Sequence, residues 1–165
     1  ERLVAQGFRH GARRLIDAVA KSAPDGYVIG VGGIAGMGWA PAAAVGAKLL
    51  NPDRTCVSVS SDGGFAMSLH VLSTALQYHA PTIFVVMNDS ALGWVRDDRL
   101  DRPEIAEYIQ TDFAAIAQGF GCQGIHVEKP QDIAPAIEKA KTANVPTVID
   151  VMVSRDESYR KVATP

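Results

Sequence analysis

The chain has 165 residues, 47% of them hydrophobic and 21% charged, with a formal net charge of −2; that suffices for one soluble domain with its own core and leaves no electrostatic footprint for nucleic acid or an anionic membrane. No apolar run is long enough to span a bilayer and no charged-then-apolar leader stands at the start, so neither a membrane anchor nor a signal peptide is expected. The only cysteines, Cys56 and Cys122, lack CxxC or metal-ligand spacing, so no disulfide framework is indicated and a reducing compartment, the cytoplasm, is expected.

Residues 1–10 read as a candidate linker. Leu15, Ile16, Val19 and Ala20 recur at helical spacing and predict a helix over Gly11–Ala23, closed by the turn Pro24-Asp25-Gly26. Tyr27-Val28-Ile29 is a short strand, followed by the glycine-rich stretch Gly30–Gly38. Pro41 suits a helix start, and the small-residue helix Ala42–Leu50 stops at Asn51-Pro52-Asp53. Thr55–Ser60 reads as a strand, Phe65–His79 as a helix with Leu69, Leu72 and Leu76 on its apolar face, and Pro81–Met87 as the next strand. Asp89–Pro103 is a loop or broken segment. Thr111-Asp112 resembles an N-cap for a helix over Phe113–Phe120. Ile125–Glu128 predicts a strand, Pro130–Ala143 a helix and Pro146–Val153 a last strand, with 155–165 a candidate loose tail. This alternation predicts a single α/β domain over 1–165: three layers, α/β/α, around a mainly parallel sheet.

The informative segment is 61–90. Asp62, in Ser61-Asp62-Gly63-Gly64, and Asn88, in Asn88-Asp89-Ser90, stand 26 positions apart, each at the carboxyl end of a strand-like run. One strand, one crossover helix and one further parallel strand account for that spacing. Both side chains then emerge at the sheet edge where open α/β sheets bind ligands. A carboxylate, a carboxamide and nearby carbonyls are hard oxygen ligands suited to Mg²⁺, which favours few protein ligands plus phosphate oxygens. Each residue also has an ordinary reading. Asp62 could cap the helix that follows it, and Asn88 could open an Asx-turn. Gly63 and Gly64 could only make the turn, or could also leave amide donors free for a phosphate at a helix N-terminus.

Asp62-Gly63-Gly64 followed by Asn88 resembles the cofactor signature of the thiamine-diphosphate enzymes. The resemblance is to the diphosphate-binding domain, the C-terminal third, of the acetolactate synthase, benzoylformate decarboxylase and pyruvate oxidase group. It extends through Gly33-Ile34-Ala35-Gly36-Met37-Gly38-Trp39-Ala40-Pro41 upstream and Leu92-Gly93-Trp94-Val95-Arg96 downstream, covering roughly residues 12 to 155. It implies thiamine diphosphate and Mg²⁺ as cofactors, with Asp62, Asn88 and the Ser90 carbonyl as metal ligands. By the same alignment Ala35, Gly36 and Met37 would hold the aminopyrimidine, with Met37 as the apolar prop that bends the cofactor. Gly63, Gly64, Leu92 and Gly93 complete the implied cofactor-binding set. Two positions depart from the pattern: Ser61 replaces a glycine, and Asp89 replaces a frequent second Asn and is expected to turn away from the diphosphate.

The implied activity is decarboxylation of a 2-oxo acid with carboligation, as in acetolactate synthase; simple decarboxylation is the alternative within the family. The glutamate that activates the cofactor belongs to a pyrimidine-binding domain absent from this chain, so a partner domain or subunit and an oligomer are expected, and no catalytic residue is assigned. Family members also carry a longer segment between the first strand and Gly36-Met37-Gly38. Trp94 and Leu92 could line the substrate side, and Arg96 could meet a substrate carboxylate or join a solvated cluster with Asp97 and Asp98. His10, His70, His79 and His126 have no placed partner. Outside the family, Gly30-Val31-Gly32-Gly33-Ile34-Ala35 fits a dinucleotide fingerprint, which would make this a nicotinamide-binding oxidoreductase domain; a non-catalytic homologue is the other alternative.

Overall fold

Among the described residues six strands form one sheet in the order β2-β1-β3-β4-β6-β5, and every ladder in it is parallel. The computed structural model describes residues 2–6, 27–30, 36–98 and 101–155. The helix expected over Gly11–Ala23, its closing turn, Ala35 with most of the glycine-rich stretch, and His10 lie outside the described residues. The strands are β1 (Arg2–Gln6), β2 (Tyr27–Gly30), β3 (Thr55–Ser61), β4 (Ile83–Asn88), β5 (Gln123–Val127) and β6 (Thr147–Met152). β1 corrects the reading of 1–10 as a linker: its five residues pair with both β2 and β3 inside the sheet.

The helices are α1 (Trp39–Leu50), α2 (Asp62–Ala66), α3 (Val71–Gln77), α4 (Gly93–Asp98), α5 (Phe113–Phe120) and α6 (Ile133–Thr142), with 3-10 turns at Pro103–Ala106 and Pro130–Asp132. Side chains alternate across the pleat, so β4 sends Phe84 and Val86 to one face and Ile83 and Val85 to the other. The first face packs against Val45, Phe65, Leu72, Phe113 and Ala117 from α1, α2, α3 and α5. The second packs, with Ile149 and Val151, against Ala136 and Ala140 of α6. That is the three-layer arrangement, and its crossovers share one hand. The chain steps from β3 to β4 with helices on one face and steps back from β5 to β6 with α6 on the other.

Two predicted elements differ in detail. The helix expected over Phe65–His79 is broken between α2 and α3. Ser68 Oγ bonds back to the carbonyls of Gly64 and Phe65 at 3.4 and 3.3 Å, and the amides of Ser68, Val71 and Leu72 bond three residues back, which tightens the turn and interrupts the α ladder. The broken segment after Asn88 contains α4, and its loop is tied down by an antiparallel bridge between Ala91 and Glu107.

Candidate functional site

Asp62 begins α2 and Asn88 ends β4. Since Ser61 is paired with Met87 in the ladder, the two side chains stand beside each other at the carboxyl edge of the sheet. Both are fully buried. Asp62 Oδ1 accepts the Gly63 N–H at 2.7 Å and Oδ2 accepts the Ser90 N–H at 2.7 Å. The same Ser90 N–H reaches Asn88 Oδ1 at 3.2 Å, and the Ser90 hydroxyl donates to that oxygen at 3.3 Å. Ser90 holds this position with φ at 55°, a left-handed conformation that costs a non-glycine residue energy and concentrates at functional sites.

The N-cap of α2 is Ser61, whose hydroxyl accepts the Gly64 N–H at 3.1 Å. The departure from glycine at 61 therefore supplies the cap and relieves Asp62 of that task. Of the two readings of Gly63 and Gly64, free amide donors are not seen here: one amide is held by Asp62, the other by Ser61. Ser90 is oriented differently from the expectation too. Its carbonyl accepts the Tyr108 N–H at 3.1 Å and Arg155 Nη2 at 3.2 Å, so its amide rather than its carbonyl faces Asp62 and Asn88. Asp89, expected to turn away, has its carboxylate beside Asp62. Burial and then the Asp62 charge push it up to about 6. Tyr108 lies on the same side, its hydroxyl donating to the Ala91 carbonyl at 3.4 Å; burial first, and then the Asp62 carboxylate, raises its phenol above the usual range.

The site is thus oxygen-rich and desolvated. Among the described residues no cationic side chain forms an ion pair with Asp62, although a buried carboxylate normally has a compensating cation. Arg155 instead donates from Nε to the Asp89 carbonyl at 2.6 Å. A hard divalent cation with phosphate oxygens fits this donor set.

Apolar groups frame the opening. A Cβ on Gly63 would lie 2.9 Å from Leu92 Cδ2, 3.3 Å from Met37 Cε and 3.5 Å from the Tyr108 hydroxyl. Met37 is 47% exposed although it is apolar and next to this cluster. Gly36 has open space around it, and Gly93, at the start of α4, faces Asp89 Oδ2. Trp94 is also largely exposed. Arg96 is engaged elsewhere, by Glu107 at 2.8 Å and the Arg155 carbonyl at 2.8 Å. His70 and His79 are exposed, just before and just beyond α3.

Three residues of the site were not foreseen. Asp150 on β6 is fully buried and accepts from Asn88 Nδ2 at 2.9 Å and from the Phe113 N–H at 3.0 Å. Burial raises its carboxyl above the ordinary value, while the bonds from Asn88 and Phe113 oppose that shift. An Asp inside the apolar run Thr147–Met152 was the sequence signal for it. Tyr108 and Arg155 lacked any such signal. His126 lies 3.8 Å from Asp150 and 3.7 Å from Glu128. With Asp112 it forms a trio whose ligand atoms lie within 4.8 Å, but both Asp150 oxygens already accept hydrogen bonds.

A buried acid and amide at the carboxyl edge of a parallel sheet, beside glycines and an exposed methionine, define a cofactor-binding α/β domain. The chain matches the family described as thiamine pyrophosphate enzyme, C-terminal TPP binding domain, over residues 13–151, and it belongs to that family. It is 35% identical over 118 residues to an acetolactate synthase of Bacillus subtilis, covering 70% of this chain and 21% of that protein. It is 31% identical over 150 residues to a glyoxylate carboligase of Escherichia coli O157:H7, covering 79% and 25%. Among solved structures it is similar to a thiamine diphosphate-dependent 4-hydroxybenzoylformate decarboxylase of Rhodococcus jostii RHA1, with a TM-score of 0.63, 31% identity and coverage of 70% of this chain and 23% of that one. The chain therefore spans about a quarter or less of these relatives. The family match sets aside the nicotinamide reading. Among the described residues no helix is long and apolar enough to cross a membrane.

Proposed function

We propose that this chain binds thiamine diphosphate through Mg²⁺ and forms the diphosphate half of the active site of a 2-oxo acid decarboxylating carboligase, acetolactate synthase-like. The observation that carries the reading is the convergence of Asp62 and Asn88 on one amide, that of Ser90, at a buried strand edge where Asp62 has no cationic partner among the described residues. Asp62 and Asn88 would ligate the metal through oxygen. The Ser90 carbonyl, which accepts from the Tyr108 N–H and from Arg155 Nη2 and faces away from Asp62, would join them only after its peptide plane turns. Met37, Leu92 and Tyr108, which converge on Gly63, would hold the cofactor against the glycine and exclude water from it, with Ala35 and Gly36 placing backbone beside the aminopyrimidine and Gly64 and Gly93 leaving room for it.

Thiamine diphosphate, when bound, supplies the electron sink that a carbanion next to a carbonyl requires. The residues of this chain bind and orient it, and the activating glutamate would come from a pyrimidine-binding domain or subunit. The acetolactate synthase and glyoxylate carboligase relatives favour ligation. The decarboxylase structure favours simple release of an aldehyde as the second reading, and product analysis with the partner domain separates the two.

The test is calorimetric titration of thiamine diphosphate, with and without Mg²⁺ and with NAD as a control, alone and with a pyrimidine-domain partner. Magnesium-dependent binding that tightens with the partner is the expected result. Binding indifferent to Mg²⁺, or no binding in either setting, overturns the proposal.

A further inference from the structure

The carboxamide of Asn88 can present either its oxygen or its nitrogen to Asp62, and only the oxygen can ligate a cation. Both amide hydrogens are committed on the far side. Asn88 Nδ2 donates to the Thr111 carbonyl at 2.9 Å and to Asp150 Oδ1 at 2.9 Å, which leaves Oδ1 on the side of Asp62 and the Ser90 amide. The two acceptors differ in strength. Thr111 offers a neutral carbonyl, whereas Asp150 offers a carboxylate, and a charge-assisted bond is roughly twice as strong as a neutral one.

We infer that Asp150 is a positioning residue for the metal centre: by accepting from Asn88 Nδ2 it fixes the carboxamide with its oxygen towards Asp62. The inference rests on the reading of Asn88 as a metal ligand. Asp150 is itself held in place. Its Oδ2 accepts the Phe113 N–H at the start of α5, and the Phe113 ring is locked edge-on against Phe65 with centroids 5.7 Å apart. The carboxylate therefore bridges the end of β4 to the start of α5, and neither oxygen can turn away without orphaning a buried donor.

An isosteric change exposes the role. In Asp150→Asn one oxygen becomes an NH₂ group. The single oxygen left must accept from Phe113 N–H, because that donor is fixed by the backbone. The new NH₂ group then faces Asn88 Nδ2, donor against donor. Neither orientation of Asn88 then satisfies its surroundings. Unflipped it keeps the donor–donor clash; flipped it gains a bond from residue 150 but sets Oδ1 against the Thr111 carbonyl and Nδ2 against the Ser90 N–H, so the carboxamide oxygen is no longer fixed towards Asp62.

The experiment is a titration of Mg²⁺ at fixed thiamine diphosphate in the full protein, repeated with Mn²⁺ followed by the spin-resonance signal of the free ion. Asp150→Asn should weaken both metals by about 10- to 100-fold while metal-free cofactor affinity stays unchanged. Asp112→Ala is the control. It removes the bond that Asp112 accepts from the Ala115 N–H at 2.8 Å, loosening the same helix start beside the Thr111 carbonyl while keeping the Asn88 and Asp150 side chains, and should cost far less metal affinity than Asp150→Asn. The pair Asn88→Asp with Asp150→Asn restores a donor facing an acceptor and should recover part of the affinity lost in Asp150→Asn. That pair also decides the matter against the single Asn88→Asp variant if Asp150→Asn does not fold. Unchanged metal affinity in Asp150→Asn, an equal loss in Asp112→Ala, or no recovery in the pair would overturn the inference. A wild-type protein whose cofactor binding ignores Mg²⁺ would instead remove the underlying reading of Asn88.

Discussion

Asp62 receives two backbone N–H bonds and has Asp89 and Tyr108 for neighbours, so removing its charge should be felt first by a bound cation. Asp62→Ala is expected to abolish the magnesium-dependent part of thiamine diphosphate affinity; a calorimetric affinity equal to wild type in the presence of Mg²⁺ would show that Asp62 is no ligand. Gly63 poses a different question, because the atoms that an added Cβ would meet, Leu92 Cδ2 and Met37 Cε, are the ends of flexible side chains. Those ends can move aside, so Gly63→Ala should cost only about 1 kcal/mol of stability in denaturant unfolding. Cofactor affinity should fall further than stability does, since the displaced side chains are the ones proposed to hold it; an unaltered affinity would place the cofactor elsewhere. Asp62 and Asn88 could be singled out in the sequence because each ends a strand-like run. The Ser90 orientation could not, since its φ of 55° is set by the loop around it.

Element boundaries followed local chemistry where the chain announces it. Asp112 caps α5 as its position before Phe113 suggested, and Gly121 ends that helix at φ 91°. The break between α2 and α3 was hidden, because Leu69, Leu72 and Leu76 keep helical spacing across it while Ser68 bonds backwards. Gly124 on β5 shows what packing demands of a strand: a Cβ there would collide with the Ala114 backbone carbonyl of α5. Backbone cannot rotate out of the way as a side chain can. Gly124→Ala should therefore destabilise the protein by about 3 kcal/mol, read from the shift of the unfolding midpoint; a change below the experimental scatter would mean that α5 is not packed so closely on β5.

At the scale of the molecule, the two faces of the sheet carry separate apolar clusters, and Cys122 lies in the one that contains Phe65, Phe84 and Phe113. Burial pushes its thiol from 9.0 up to about 11. A thiol raised in the folded state binds its proton more tightly there than in the unfolded chain, so the associated stability is intact below pH 9 and is lost as pH rises through about 11. Alkylation of Cys122 at pH 8 should accordingly follow the rate of global opening and rise sharply in denaturant. Labelling at the rate of a free thiol under native conditions would contradict the burial.

The three-layer class, the family, and the placing of Asp62 and Asn88 at the ends of consecutive strands could all be read along the chain. Alternation, helical spacing and a strand–helix–strand length are local properties of a chain, and they survive without knowledge of which strands adjoin. Tertiary structure alone decided that β1 enters the sheet, that Ser61 rather than Asp62 caps α2, and that Tyr108, Asp150 and Arg155 complete the site. β6 lies next to β4 although β5 comes between them in the chain, so Asp150 meets Asn88 only after the crossover order is fixed. Which polar groups share a buried edge is set by that order, and no window of sequence contains it.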